Sequence, residues 1–259
     1  MKLENKIKEK FIFNNNRNLI KWMYYFYHRY VKKYSKKSFS FGGVDLLIDR
    51  FFRNKKTGIY IDVGCYHPIK GSNTYLLHQK GWNGINIDLD THAINLFESF
   101  RPKDHNIKAA VSEKDGSAEL FSHHTHSAVQ TIDPLNAKKN YKNRANSQTI
   151  STTTLNSIIE NSEFKNKKID FITIDIEGHE YETLKTFDFK KYQPSIIVIE
   201  YNDPTLEKVE FYYQNINNIL SSNIYNLMLK NNYHFVNWHH ADLIFVSEDV
   251  YKSTDLLFA

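Results

Sequence analysis

The sequence of 259 residues has a single cysteine, Cys65, and this scarcity excludes two kinds of protein. One cysteine cannot form a disulfide within the chain, and it cannot supply the several thiolates of a multi-cysteine zinc site. Because thiols are kept reduced inside cells, the default expectation is a reducing compartment, the cytoplasm.

Long apolar runs are also missing. No window reaches the roughly 18 consecutive apolar residues of a membrane-spanning helix. The opening MKLENKIKEK has no apolar stretch after its charges, so no signal peptide is predicted. With 41% hydrophobic and 15% aromatic residues the chain can still bury a sizeable core. Its length suits one large domain with an appendage.

Positive charge is concentrated in the first 40 residues. They contain 11 Lys and Arg against two Glu, a net charge of +9, whereas the whole chain carries +5. Within NLIKWMYYFYHRYVKKYSKK, apolar side chains recur at helical spacing between basic ones. We predict a basic amphipathic helical extension over 1–40 and a globular domain over 41–259. The extension either packs on that domain or contacts an anionic membrane surface or a partner. Nucleic-acid binding is not predicted, because no reader motif accompanies the charge.

From residue 57 onwards, short apolar runs alternate with helical patterns, which predicts an α/β fold with a parallel sheet covered on both faces. The polar stretch 112–150 is predicted to be irregular, with a mobile loop and a lid or wall of a pocket. The predicted strands are 59–63, 84–88, 106–111, 169–175, 195–200 and a closing hairpin of 233–238 and 241–246. The predicted helices are 72–81, 91–100, 151–160 and a long stretch over 205–232 with a break near Ser221.

The first predicted strand ends in IDVGCYHPIKGSNT, at the edge of the sheet where α/β folds bind ligands. Gly64 lets the backbone turn sharply and approach a ligand, and helix N-terminal amides near Ser72, Asn73 and Thr74 point into the same crevice. A dinucleotide fingerprint is absent, because Cys, Tyr, His and Pro follow Gly64 in place of the required glycines. Asp62 would repel a pyrophosphate, whereas a cationic sulfonium or a zwitterionic amino-acid tail fits beside it.

Two more residues belong to this predicted pocket. Asp88 ends the second strand, where an acid can accept both hydrogens of a ribose diol; the alternative is a cap for the helix 91–100. His67 either contacts the ligand or packs beside Pro68. Together these features predict a pocket for S-adenosylmethionine (SAM), with the cofactor-binding residues Asp62, Gly64, His67, Ser72, Asn73, Thr74 and Asp88.

Three segments together resemble the FkbM-type SAM-dependent methyltransferases over roughly residues 57–202: IYIDVGCYHPIKGSNTYLLHQKGWNGINIDLD, TTTLNSIIE and IDFITIDIEGHEYETLK. The DVG and ID-x-x-x-ID-x-EG-x-E motifs are specific at this spacing, whereas either alone would be weak. The resemblance implies a class I methyltransferase fold, a Rossmann-like sheet of order 3-2-1-4-5-7-6, and O-methylation. It also implies a sugar acceptor, since the chain is similar to enzymes of bacterial capsule and surface-polysaccharide synthesis; a nucleotide-linked heptose or hexose is one candidate.

A run of acids follows the next two strands. Asp175 ends the fourth strand and Glu200 the fifth, and adjacent parallel strands lie about 4.8 Å apart, so both carboxylates can converge on a hard cation. Oxygen ligands suit Mg²⁺ or Mn²⁺. Glu177 joins them if the chain stays extended, and Asn202 or Asp203 could complete the shell. A metal can lower the pKa of bound water from about 15.7 to about 7, which exceeds the roughly 10²–10⁴-fold contribution of a side-chain base.

His179 opens the helix after Asp175. The positive end of that helix should keep its imidazole neutral, as a general base requires; the alternative is a capping histidine. The sequence therefore predicts His179 and Asp175 as catalytic residues and Asp175, Glu177 and Glu200 as metal ligands. Glu177 could equally be a structural acceptor. Glu180 and Glu182 are interpreted as ordinary partners of the helix dipole.

The resulting hypothesis is a metal-assisted, SAM-dependent O-methyltransferase acting on a sugar or nucleotide-sugar acceptor, cytoplasmic or peripheral at the inner face of the membrane. The alternatives are a nicotinamide-dependent sugar oxidoreductase, which the missing glycines disfavour, and a non-catalytic glycan-assembly scaffold held by residues 1–40. The residues 210–214, His239 and His240 are candidates for acceptor contacts. The sequence does not indicate which hydroxyl of the acceptor is methylated. It also leaves open whether the chain forms a homo-oligomer.

Overall fold

The computed structural model describes residues 18–32, 36–122, 130–141, 146–201 and 215–253. It divides the chain into two compact units, Met1–Lys37 and Ser38–Ala259. In the first unit, the helix α1 (Asn18–Phe26) continues into one π-helical turn, Tyr27–Val31. No helix within the described ranges has both the length and the apolar composition needed to cross a bilayer.

The second unit alternates strands and helices. Its strands are β1 (Ile59–Val63), β2 (Asn83–Asp88), β3 (His105–Lys108), β4 (Ala110–Val111), β5 (Gly116–Ser122), β6 (Asn146–Thr153), β7 (Phe171–Ile174), β8 (Ile196–Glu200), β9 (Tyr233–His239) and β10 (Asp242–Ser247). Its helices are α2 (Val44–Phe51), α3 (Tyr75–Gln79), α4 (Thr91–Phe100), α5 (Pro134–Tyr141), α6 (Leu155–Glu160), α7 (Glu180–Leu184), α8 (Phe189–Tyr192), α9 (Ile216–Leu220), α10 (Asn223–Lys230) and α11 (Glu248–Lys252).

Seven strands form the central sheet, in the order β3-β2-β1-β7-β8-β10-β9. β1, β2, β3, β7 and β8 pair in parallel, and β10 runs antiparallel to both β8 and β9. Numbered among themselves, these strands have the order 3-2-1-4-5-7-6, so the α/β fold and the strand order of a class I methyltransferase are confirmed. The closing hairpin is confirmed too.

Apolar residues cover both faces of this sheet, as a parallel sheet requires. Alternate residues of a strand point to opposite faces, and β8 illustrates the result. Ile197 and Ile199 join the larger buried cluster, whereas Ile196 and Val198 join a second cluster with Trp82. The carboxyl ends of β1, β7 and β8 are thereby fixed side by side.

The stretch 112–150, predicted to be irregular, contains regular structure. β5 pairs antiparallel with β6, which pairs parallel with β4, forming a small second sheet. The predicted mobile loop, 136–148, contains most of α5 and the first residues of β6. The residues 151–153, predicted as helix, belong to β6, with Thr154 capping α6 instead. The predicted strand 106–111 is divided between the two sheets. The histidine-rich residues 123–129 lie outside the described part.

One detail of the helices differs from prediction, and two agree. Ser72 and Asn73 do not cap α3, whose N-cap is Thr74 without a side-chain hydrogen bond. Ser222 caps α10 directly after α9, so the break near Ser221 is confirmed. Helix 91–100 has the predicted limits. Residues 202–214 are outside the described ranges, as are the proposed ligands Asn202 and Asp203 and the acceptor candidates 210–214.

Candidate active site

One cavity of about 330 Å³ opens at the carboxyl ends of β1, β2, β7 and β8. The two groups of residues that the sequence suggested separately, a nucleoside pocket and an acid cluster, both line it. The site residues in its wall are Asp62, Gly64, Ser72, Asn73, Asp88, Asp175, Glu177, His179 and Glu200. His67 and Thr74 are not among the lining residues.

Gly64 joins the two halves of the cavity. Its backbone has a positive φ of 80°, and a Cβ at this position would lie 1.7 Å from the carbonyl oxygen of Asp175. The amide of Asp175 donates to the carbonyl of Val63 at 2.9 Å. The sharp turn is as predicted, but the close approach that demands glycine is to the neighbouring strand.

Asp62 is held by a buried hydrogen-bonded chain. Its Oδ2 accepts from the Thr74 hydroxyl at 2.7 Å, and Thr74 in turn accepts from Arg101 Nη1 at 2.8 Å. Arg101 is fully buried and also donates to Ser72 Oγ at 2.9 Å and to the carbonyl of Pro68. Thr74 therefore positions Asp62 from behind the cavity wall. No motif in the sequence distinguished Arg101, which follows an ordinary amphipathic helix.

Burial is the main influence on the charge of Asp62. It raises the pKa of this carboxyl from 3.8 to about 6, although the Thr74 hydrogen bond and the Arg101 charge act in the opposite direction. A carboxylate in this position is stabilised by any cation that approaches it through the cavity.

The remaining residues of the predicted nucleoside pocket have identifiable partners. Asp88 accepts from the amides of Tyr66 at 2.7 Å and Asp90 at 2.8 Å, while Asp90 is the cap of α4. Asn73 Nδ2 donates to Thr173 Oγ1 at 3.0 Å. His67 Nδ1 accepts from the amides of Ile69 and Lys70, each at 3.0 Å. The His67 ring therefore holds a turn together beside the cavity, instead of forming its wall.

The acids form a compact group. Asp175, Glu177 and Glu200 each have an oxygen within 4.8 Å of those of the other two. Glu200 Oε2 is buried and has no hydrogen-bond partner among the described residues. Asp242, opposite Glu200 in the β8–β10 register, is a further acid that the sequence reading missed. Pairing the predicted closing hairpin with β8 in antiparallel register would have predicted that Asp242 lies next to Glu200.

The pKa values of these acids are raised together. Burial, followed by the charges of Asp175 and Glu180, raises the pKa of Glu177 to about 8. Burial and the neighbouring carboxylates hold the pKa of Glu200 well above its usual range. Burial and then Asp175 raise the pKa of Asp242 to about 7. Asp175 retains an accessible edge, yet the protein around it raises its pKa as well. Such a group favours the uptake of protons or of a cation.

The loop between β7 and α7 is held from two sides. Glu177 has a left-handed backbone, with φ of 56°, so the chain does not stay extended there, yet the Glu177 side chain still reaches the acid group. Its carbonyl accepts from Thr131 Oγ1 at 2.8 Å and from Asn136 Nδ2. Glu180 Oε1 accepts from the amides of Ile176 at 3.0 Å and Gly178 at 3.1 Å. The buried Glu180 carboxylate therefore holds the backbone of this loop in place.

His179 stands at the start of α7, as predicted, and lines the cavity. Its Nε2 lies 3.0 Å from Ser112 Oγ, and its Nδ1 is buried without a partner among the described residues. The pKa of His179 is lowered, so the ring is neutral at pH 7, but burial is the main cause. It does not cap the helix through its side chain. His239, an acceptor candidate, instead contacts the carbonyl of Gly42.

The charge of the lining restricts what can bind. Six carboxyl groups face the cavity, and its described lining contains no lysine or arginine. A cation is favoured there, whereas a pyrophosphate is repelled. The strand order and the sharp turn at Gly64 are those of the class I methyltransferase fold.

The particular family follows from the sequence match. The family model described as Methyltransferase FkbM domain matches residues 62–234, about two thirds of the chain. This chain belongs to the FkbM methyltransferase family, whose resemblance we noted in the motifs. No curated protein matches the chain significantly.

Solved structures similar to this chain are distant from it. A TehB-like SAM-dependent methyltransferase from Corynebacterium glutamicum is 10% identical, with 89% of this chain and 96% of that one covered and a TM-score of 0.38. An O-methyltransferase from Bacillus cereus in complex with SAH is 12% identical, with 95% and 96% covered and a TM-score of 0.39. Monomeric WbdD is 11% identical, with 86% and 44% covered and a TM-score of 0.39.

Proposed function

We propose that this methyltransferase transfers the methyl group of SAM to a sugar hydroxyl, with a divalent cation held by Asp175, Glu177 and Glu200. The observation that carries the proposal is the sharing of one cavity by Asp62, Asp88 and the acid group. Asp62 faces the positively charged methionine part of the donor, and Asp88 accepts from its ribose hydroxyls.

The acid group fits a metal ion by its chemistry. Three carboxylate oxygens within 4.8 Å of one another, including one buried oxygen without a partner in the described part, form the hard donor set that Mg²⁺ and Mn²⁺ prefer. A cation bound there would lower the pKa of a sugar hydroxyl beside it. Without a cation, the clustered carboxylates must take up protons to relieve their repulsion.

His179 is proposed as the general base. His179 lines the cavity, and its neutral ring has the lone pair needed to take the acceptor proton. The acceptor oxygen then forms a bond to the methyl carbon while the sulfur–carbon bond breaks, and the positive sulfonium becomes a neutral thioether. Burial keeps the imidazole neutral and ready to accept.

The acceptor is proposed from charge and family together. A polyol suits a cavity rich in carboxylates, which accept its hydroxyl hydrogens. The diphosphate of a nucleotide-linked sugar would stay outside, because the described lining of the cavity offers it carboxyl groups and no lysine or arginine. We therefore propose a neutral sugar end, on a nucleotide carrier or a growing glycan such as a bacterial capsule, methylated in the cytoplasm. The nicotinamide-dependent oxidoreductase is not favoured, because the described lining has no lysine or arginine to pair with the pyrophosphate of its cofactor.

The test separates the donor from the metal. The purified chain is expected to bind SAM in excess EDTA, measured by calorimetry. It is expected to transfer labelled methyl groups to a panel of free and nucleotide-linked sugars only when Mn²⁺ or Mg²⁺ is restored. Full turnover in EDTA would exclude the metal role, and transfer to none of the sugars would exclude the acceptor class.

Variants assign the individual roles. Asp175→Asn and His179→Ala are each expected to lower turnover at least about 10²-fold, with SAM affinity retained. Glu98→Gln, an exposed acid on α4, is the matched control. Wild-type turnover in both site variants would contradict the assignment.

A further inference from the structure

Large apolar side chains are exposed along α1 and its π-helical turn. Leu19 is 69% exposed, Trp22 58% and Tyr30 65%. Met23, Tyr25, Phe26, Tyr27 and Val31 are exposed as well. Contiguous apolar surface of this kind is characteristic of a binding surface, because its contact with water is energetically unfavourable.

An aromatic ridge, formed by Trp22, Phe26 and Tyr30, runs along this segment. The rings of Trp22 and Phe26 stack with centroids 5.3 Å apart, and those of Phe26 and Tyr30 lie 4.9 Å apart. Side chains four residues apart occupy one face of a helix. Trp and Tyr are the residues that concentrate at the headgroup level of bilayers.

A basic row lies one position before the ridge, at Lys21 and Arg29. Both are exposed. Arg29 Nη1 donates to the Tyr25 hydroxyl at 2.6 Å, and its guanidinium lies 5.5 Å from the centre of the Tyr30 ring. The charge is therefore fixed next to the ridge. From residue 10 to residue 44 the sequence contains no acidic residue.

We propose that α1 and its π-helical turn bind in the plane of an anionic lipid surface. The aromatic ridge enters the boundary between headgroups and acyl chains, and the basic row contacts lipid phosphates. The charge selects this occupant, since a positively charged aromatic helix is complementary to anionic lipid. The proposal does not depend on the methyl-transfer chemistry.

Flotation of the full chain with vesicles tests the proposal. Phosphatidylcholine vesicles containing phosphatidylglycerol are expected to carry the protein, and pure phosphatidylcholine vesicles to carry much less, with the difference shrinking as salt rises. Brominated acyl chains are expected to quench part of the tryptophan emission. Trp22→Phe is expected to abolish that quenching, because Trp82 is buried and Trp238 packs partly buried against the core of the second unit.

Matched variants locate the surface. Lys21→Gln with Arg29→Gln is expected to lower partitioning by about 30-fold, from about 1 kcal/mol for each basic residue near the surface. Lys165→Gln with Lys168→Gln, two exposed lysines of the second unit, should change it less than twofold. Serine at all three ridge positions is expected to abolish binding, whereas Phe100→Ser, with a side chain 57% exposed, should have no effect.

Three outcomes would overturn the proposal. These are failure of the wild-type chain to bind anionic vesicles at low salt, equal binding to neutral vesicles, and equal loss with the control variants. Concentration-dependent self-association in sedimentation, lost in the ridge variant while vesicle binding persists, would also overturn it. Circular dichroism and SAM affinity of every variant establish that the second unit remains folded.

Discussion

Replacing Asp62 by asparagine tests whether an ionised carboxylate on the SAM-binding side of the cavity destabilises the folded chain. In the folded chain the pKa of Asp62 is about 6, against 3.8 for an ordinary aspartate, chiefly because the carboxyl is buried. An acid whose pKa is raised on folding opposes folding whenever it is ionised. The penalty is complete above pH 6 and fades as the pH falls from 6 towards 3.8.

The size of this penalty follows from the shift. A difference of about 2.2 pKa units at about 1.36 kcal/mol per unit gives about 3 kcal/mol at pH 8. Between pH 8 and pH 5 about 1.4 kcal/mol of it should be recovered. The asparagine side chain of the variant cannot titrate, so any fixed cost of a buried amide cancels when the two proteins are compared across pH.

Urea unfolding of both proteins at several pH values between 5 and 8, without SAM, measures the effect. The free energy of unfolding of the wild type is expected to rise relative to that of Asp62→Asn as the pH falls, by about 1.4 kcal/mol. SAM affinity should fall at least tenfold in the variant at pH 8, since the donor loses its counter-charge. Parallel pH curves for the two proteins would refute the reasoning.

Three further predictions concern the same cavity. At pH 6, SAM binding is expected to release about half a proton, because the donor's positive charge lowers the pKa of Asp62; calorimetry in two buffers of different ionisation enthalpy measures this, and no release would contradict it. Arg101→Met should lower the free energy of unfolding by about 3 kcal/mol, since it leaves Ser72 and Thr74 without their charged donor; a change below about 1 kcal/mol in urea unfolding would argue against the buried chain. Gly64→Ala should lose both SAM and Mn²⁺ binding in calorimetry, because its Cβ would collide with the Asp175 carbonyl, and retention of either would show that the two halves move separately.

The central strands could be predicted because they are short apolar runs rich in β-branched residues, such as SIIVIE, and alternate with helical patterns. The small sheet could not be predicted, since β5 and β6 are polar and mostly exposed. Their pairing depends on backbone hydrogen bonds between segments about thirty residues apart. Such bonds produce no periodic pattern of apolar residues in the sequence.

Placement within the cavity could be predicted where a strand end carried an acid. Asp62, Asp88, Asp175 and Glu200 all follow from that rule. The rule does not cover His67, whose ring is held beside the cavity by hydrogen bonds from two nearby backbone amides. It also fails for Arg101, Glu180 and Asp242, whose positions depend on tertiary packing that no local spacing encodes.

The hydrogen bonds from Thr131 and Asn136 to the carbonyl of Glu177 link the segment 130–141, which lies between β5 and β6 in the sequence, to the proposed ion ligands. Exchanging that segment for one from another enzyme would alter more than the shape of the opening. On the proposed metal role, a chimera chosen to accept a new sugar would also hold the cation differently, so acceptor specificity and metal requirement would have to be re-optimised together.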